Sequence, residues 1–507
     1  MLKGMLLFNI ITLFLYPFGL YAQVDTNIND EQYRPLIHFS PKEKWVNDPN
    51  GMVYHKGIYH LFYQYHPYSS VWGPMHWGHA TSKDLVHWKR ESIKIFPDSL
   101  GTIFSGSAVV DKNNTSGFGN KGIVPLVAIF TQHNEAGEKA GKNDYQNQSL
   151  AYSLDNGKTW TKYSDNPVLR SPGIRDFRDP KVFWHEPTKN WIMSLAVTDR
   201  IYFYSSPNLK NWKKESDFGE TAGAHGGVWE CPDLFPLGYN GKEIWVLIVN
   251  LNPGGPNKGS ATQYFLGDFD GKIFSPYSIE TKWLDYGPDD YAGITWSNTG
   301  KRKIFLGWMS NWMYANLVPT ETWRNAMTIP RELRIVKVGN DMFVASTLVK
   351  EIATIKSKPI VSKKVVLSKP TDIAKTENVK FPCLINLIAD SIKDFSITLS
   401  NNDSEKLVIG YDNASNQYFI DRTKSGRTNF HNEFATKHTA PRIANISKMN
   451  LSLLIDVSSV ELFADDGITV MTEIFFPTKP YTKIQVESTG GAVIEKLEYI
   501  KLKNIWK

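Results

Sequence analysis

The chain has 507 residues, 13% aromatic content and a formal net charge of +6. That length supports two or three domains with cores that need no covalent staples. The small positive balance forms no basic stripe and no nucleic-acid motif, so neither nucleic acid nor a charged surface is indicated as a partner.

Met1–Ala22 reads as a secretory signal peptide. Lys3 supplies the positive end, Leu6–Leu20 an apolar run broken by Asn9, Pro17 and Gly19, and Leu20-Tyr-Ala22 a cleavage site before Gln23. No cysteine follows that would carry a lipid anchor. The mature chain is therefore expected to be exported, periplasmic or secreted, with no membrane partner after cleavage. The two cysteines, Cys231 and Cys383, lie far apart and are expected as free thiols. No Cys/His cluster at ligand spacing is present, so no metal and no cofactor is expected.

From residue 45 onward strand signals dominate. In Trp45-Val-Asn-Asp-Pro-Asn-Gly51, Pro49 biases Asp48 towards an extended backbone, and Asn50-Gly51 predicts a turn that holds its carboxylate rigidly. Gly51–Gln64 then reads as a hairpin around His55-Lys-Gly57. The shape recurs: 106–110 with 125–130, 180–184 with 190–195, 232–235 with 243–248, and 293–296 with 303–308. A second element follows, as Ser82-Lys-Asp-Leu-Val-His-Trp88, Ser153-Leu-Asp-Asn-Gly-Lys-Thr-Trp160 and Ser206-Pro-Asn-Leu-Lys-Asn-Trp212, with a weaker copy at Gly267–Phe274. Recurring four-stranded units of this kind predict a five-bladed β-propeller over 23–345, an irregular β-sandwich being the alternative. Lysine-rich 346–379 reads as a linker, and the short strands of 380–507 as a β-sandwich. The fold class is thus all-β.

Each hairpin is entered through a polar segment: Asn47-Asp-Pro49, Phe104-Ser-Gly106, Arg178-Asp-Pro180, Glu230-Cys-Pro232 and Tyr291-Ala-Gly293. Innermost strands of a propeller start from one end of the channel, so Asp48, Asp179 and Glu230 are expected to converge there. Clustered carboxylates repel and pay for desolvation, and so need a cation or a reaction. A calcium site is one reading, though no calcium-loop pattern is present. Paired carboxylates that break a glycosidic bond are the other. A thiol nucleophile at Cys231 lacks a nearby histidine motif.

Together, Trp45–Gly51, Phe104-Ser-Gly106, Arg178-Asp-Pro180, Glu230-Cys231 and Ser458-Ser-Val-Glu-Leu-Phe463 resemble glycoside hydrolase family 32, which includes invertases, inulinases and levanases. The likeness runs over nearly all of the mature chain. Val46 departs from the methionine common there, an apolar exchange. The resemblance implies a propeller plus sandwich and retaining hydrolysis of β-fructofuranosyl bonds. It makes Asp48 the nucleophile, Glu230 the acid/base and Asp179 the stabiliser of the transition state. It also places Asn47, Gln64, Trp72, Phe104, Ser105 and Arg178 in the fructose pocket. Trp308 is a further candidate, with core packing as its alternative. An ionised Asp48 about 5 Å away would disfavour a charge on Glu230 by roughly 3 kcal/mol at an effective dielectric near 20, enough to keep it protonated. The implied activity is exo-hydrolysis of levan, inulin or sucrose. An endo-levanase, an invertase, a fructosyltransferase, an arabinan-type glycosidase and a non-catalytic sugar-binding propeller remain alternatives.

Overall fold

Apolar alternation pairs the chain into antiparallel hairpins that repeat five times around an axis. The structure, a computed structural model, describes residues 31–120, 122–374, 379–389, 393–488 and 491–506. The expected signal peptide lies outside the described residues.

The innermost strands of the five blades are Lys44–His55, Thr102–Val110, Phe177–His185, Val228–Tyr239 and Tyr291–Thr295. Each pairs antiparallel with the strand that follows it. Second strands such as Leu126–His133 and Ile304–Met309 are buried along their whole length, because neighbouring blades cover both faces. That explains their near-continuous apolar runs.

The serine-and-tryptophan repeats are the turns between third and fourth strands. Asp84 Oδ1 accepts from the N–H groups of Val86 and His87, Asp155 Oδ1 from Lys158 and Thr159, and Asn208 Oδ1 from Lys210 and Asn211. Each short side chain satisfies the amides that the turn frees from the ladder.

Blade five takes its outer strands, Arg331–Val338 and Asp341–Leu348, from beyond an insertion. Within that insertion Trp323–Arg324 runs parallel to Lys44–Trp45 and closes the ring on blade one.

The second domain is two six-stranded antiparallel sheets packed face to face. The segment expected as a linker, 346–379, does more than connect. It completes blade five, forms the 3₁₀ turn Lys350–Ile355 and supplies the sandwich strands Ile360–Val366 and Thr371–Asp372. Among the described residues Ile360–Val366 pairs on one side only, and it exposes Lys364. Lysines on an edge strand block further pairing, and they also hide the strand pattern from a reader of the sequence.

Propeller and sandwich share one apolar cluster, in which Val349, Ile352 and Ile355 meet Leu384, Leu454 and Phe463. Buried charges cross the same interface. His38 lies between Asp456 and Glu461 at 2.8 Å each, and Arg422 Nη1 donates to Asp289 at 2.7 Å. Among the described residues no helix is long and apolar enough to cross a membrane.

Candidate active site

The five polar entry segments share one backbone device. In every inner strand two residues oppose one on the partner: Asn47-Asp48 against Gln64, Phe104-Ser105 against Thr131, Asp179-Pro180 against Leu195, Cys231-Pro232 against Val249, and Ala292-Gly293 against Gly307. Each is a β-bulge, which turns side chains out of the regular alternation and towards the channel mouth. Asp179, Cys231 and Ala292 adopt φ of 66°, 42° and 53°, a conformation that costs non-glycine residues on the order of 1 kcal/mol. At Gly106 any Cβ would lie 2.1 Å from the Ile129 carbonyl oxygen, so only glycine completes that bulge.

Asn50-Gly51, expected as a turn, is corrected here. It lies inside the continuous strand Lys44–His55, and Gly51-Met52 forms a second bulge opposite Leu61. Gly51 has φ of 50°, and a Cβ there would meet the Trp77 ring at 2.7 Å. Residues that tolerate positive φ serve a bulge as readily as a turn.

The bulges bring Asp48, Asp179 and Glu230 to one pocket of about 310 Å³. Asp48 Oδ1 accepts from Asn47 Nδ2 at 2.9 Å, and its Oδ2 from Ser105 Oγ at 2.5 Å. Asn47 is itself held by the Trp45 indole at 2.8 Å. Asn50, with its amide oriented to satisfy both ends, donates to Ser105 Oγ at 3.2 Å and accepts from Gln64 Nε2 at 3.0 Å. Burial pushes the Asp48 carboxyl above its usual range and Glu230 adds to this, while the Ser105 and Asn47 hydrogen bonds oppose it. Among the described residues only neutral donors touch Asp48, so none of them places a cation in the way of its approach to an electrophile.

Glu230 is held differently. Arg178 donates to its Oε1 from Nε at 3.1 Å and Nη2 at 3.0 Å, and the Tyr291 hydroxyl donates to Oε2. The expectation built on Asp48's charge alone omitted this guanidinium. Asp179 Oδ2 accepts from the Cys231 N–H at 3.1 Å, and Asp179 N–H donates to Thr131 Oγ1 at 3.0 Å. Burial raises Asp179 to about 7, with Arg178 opposing and the Glu230 and Asp48 charges reinforcing. Cys231 Sγ stands 3.6 Å from Asp48 Oδ2, and burial raises its thiol further, which keeps it protonated. Both cysteines are free and buried.

Trp72 meets Phe104 edge-on at 6.1 Å, and Phe104 stacks flat on His133 at 4.3 Å. Asn47, Gln64, Trp72, Phe104, Ser105 and Arg178 all line the pocket. Trp308 does not. It is wholly buried and donates to the Val46 carbonyl at 3.1 Å. Trp312, stacked on Trp45, reaches the pocket in its place. His133, Tyr145 and Asn252 also line it without having been singled out, as does Trp312. Tyr291, in the entry segment of blade five, carries no sequence signal for its contact with Glu230.

Among the described residues no three His, Cys, Asp or Glu side chains are grouped to hold a metal ion. A larger hollow of about 750 Å³ opens around Lys181, Asp233 and Lys303. It lies at the far end of the inner strands, and none of the three carboxylates reaches it.

A neutral-bonded carboxylate facing a second, cation-held one across a sugar-sized pocket suits cleavage of a glycosidic bond. Comparison with known proteins agrees. Residues 38–346 match the glycosyl hydrolases family 32 N-terminal domain, and residues 348–504 the family 32 C-terminal domain. The levanase of Bacillus subtilis is 46% identical over 95% of this chain and 72% of that protein. The extracellular exo-inulinase of Aspergillus niger is 41% identical over 91% of this chain and 93% of its own length. The crystal structure of exo-inulinase from Aspergillus awamori superposes with a TM-score of 0.85 at 36% identity, covering 94% of this chain and 99% of that one. The chain is a glycoside hydrolase and belongs to family 32.

Proposed function

We propose that this chain is an exo-acting β-fructosidase that releases fructose from levan- or inulin-type fructans and also accepts sucrose. The observation that carries it is the pairing of Asp48 and Glu230 across one small pocket, in a chain similar to a levanase and to exo-inulinases.

Asp48 attacks the anomeric carbon of the terminal fructosyl unit, and the bond to the leaving oxygen breaks. Glu230 gives that oxygen its proton. Water then enters, Glu230 takes a proton from it, and the hydroxide displaces Asp48, so configuration is retained. Asp179 holds ring hydroxyls and offsets the positive charge that develops on the ring. Arg178 and Tyr291 keep the Glu230 carboxyl in place through both steps. Retention calls for carboxyl groups about 5–5.5 Å apart.

Export is part of the proposal, supported by Met1–Ala22 and by the extracellular exo-inulinase relatives. So is a supporting role for the sandwich, whose contacts with the propeller are extensive.

Product analysis on levan, inulin and sucrose tests the reading. Fructose as sole early product from the polymers supports exo action. A ladder of oligomers means endo action, longer chains mean transfer, and no release from any substrate defeats the assignment.

A further inference from the structure

The apolar wall of the pocket continues onto the surface. Trp72 is 41% exposed, and beyond it Tyr68 is 71% and Phe96 53% exposed. Among the described residues only one other large aromatic side chain, Tyr277, is exposed, so three of four stand in one place. Tyr68 and Phe96 connect through buried histidines: Tyr68 packs edge-on to His66 at 6.0 Å and to His76 at 5.7 Å, and His76 to Phe96 at 5.7 Å.

The surrounding backbone is firmly seated. His66 Nδ1 bonds the Val71 carbonyl at 2.8 Å, and the Trp72 N–H donates to Asn316 Oδ1 at 2.8 Å. At Gly73 a Cβ would strike the His66 ring at 2.4 Å, which shows how closely the loop lies on it. The loop 67–75 joins blade one's second and third strands, and 96–101 leads from its outer strand into the strand that carries Phe104 and Ser105. Both therefore lie on the face where the pocket opens.

Rigid exposed rings in a row are costly to keep in water unless something covers them. Trp72 lines the pocket, and its chain neighbours Val71 and Gly73 lie against His66, on which Tyr68 packs, so a chain that enters the pocket can extend towards Tyr68 and Phe96. Ser69 and Ser70 between the rings offer hydroxyl partners.

We propose that Trp72, Tyr68 and Phe96 form a ridge that binds the fructosyl units of a polymer beyond the unit being released. It thereby favours long fructans over sucrose. This rests on the β-fructosidase reading. Each aromatic face covers the apolar side of a sugar ring while the hydroxyls stay wet. Tyr68 and Phe96 do not line the pocket, so a sucrose held there is expected to gain less from them than a polymer does.

The test compares the wild type with the double variant Tyr68→Ser/Phe96→Ser on levan, inulin and sucrose. Unfolding midpoints and sedimentation serve as controls. The polymer-to-sucrose ratio of kcat/KM is expected to fall about tenfold, equivalent to about 1.4 kcal/mol, mostly through KM for the polymers. An unchanged ratio overturns the ridge. A change of oligomeric state with an unchanged ratio overturns it too, and assigns the rings to self-association. A wild type that releases fructose from none of the three defeats the activity itself, an outcome distinct from an active enzyme with an unmoved ratio.

Discussion

Arg331 of the propeller and Glu461 of the sandwich form an ion pair with no exposed side-chain surface on either partner, Arg331 Nε donating to Glu461 Oε2 at 2.9 Å. The same guanidinium reaches Asp285 at 2.9 Å and Asp290 at 3.0 Å. Asp290 directly precedes Tyr291, which bonds Glu230, so the domain interface lies one residue from the acid/base network. Arg331→Met should leave the buried Asp285 and Asp290 without their cation and Glu461 with His38 alone, and destabilise the protein by roughly 3–5 kcal/mol. Urea unfolding at pH 7 measures this, and a variant within about 1 kcal/mol of wild type, the ordinary scale of a surface pair, would refute it.

His38 makes the interface sensitive to pH. Burial alone would lower it, but Asp456 and Glu461 outweigh burial and hold it at about 9, against an ordinary 6.5. A proton bound more tightly in the folded state stabilises fully below pH 6.5, weakens above it, and is lost as pH rises through 9. The swing is roughly 3 kcal/mol. His38→Gln should flatten the stability profile between pH 6 and 9.5, read as the unfolding midpoint at each pH.

Asp48→Asn and Glu230→Gln should each lower kcat by about 10³-fold or more, some 4 kcal/mol of barrier, with unfolding midpoints little changed. Steady-state hydrolysis of sucrose reads the first and calorimetry the second. Near-wild-type turnover in either variant ends the assignment of roles.

Asp179→Asn separates function from stability. Burial and the neighbouring Glu230 and Asp48 carboxylates penalise its charge and raise the native carboxyl from an ordinary 3.8 to about 7. Its protonated form therefore stabilises the fold fully below 3.8, and that gain is lost as pH rises through 7. An uncharged amide escapes the penalty. The variant should unfold at a higher temperature than wild type above pH 7, show little difference near pH 4, and lose about 10²-fold or more in kcat. A variant less stable than wild type at pH 8 would contradict this.

Local signals carried much of the fold. The hairpins at 51–64, 106–130, 180–195, 232–248 and 293–308 were legible because each sits within a short stretch and alternates cleanly. The convergence of Asp48, Asp179 and Glu230 followed from blade equivalence alone. Residues that act across long separations stayed hidden. Nothing near Arg331 announces Glu461, 130 positions on. Trp308 and Trp312 stand close together in sequence, and only packing decides that the second reaches the pocket while the first lies against Trp45. The hydroxyl of Tyr291 likewise gains meaning only when blade five stands beside blade four.

The parallel pairing of Trp323–Arg324 with Lys44–Trp45 bears on how the enzyme is born. Asp48 is translated long before residue 324, yet the edge of its strand stays open until the chain has grown past that residue and come back around. A nascent chain halted before that point already holds all three carboxylates in its sequence but has no closed ring to aim them. Catalytic competence should therefore arrive late in synthesis and abruptly, with the final seam of the propeller rather than with the residue that performs the attack.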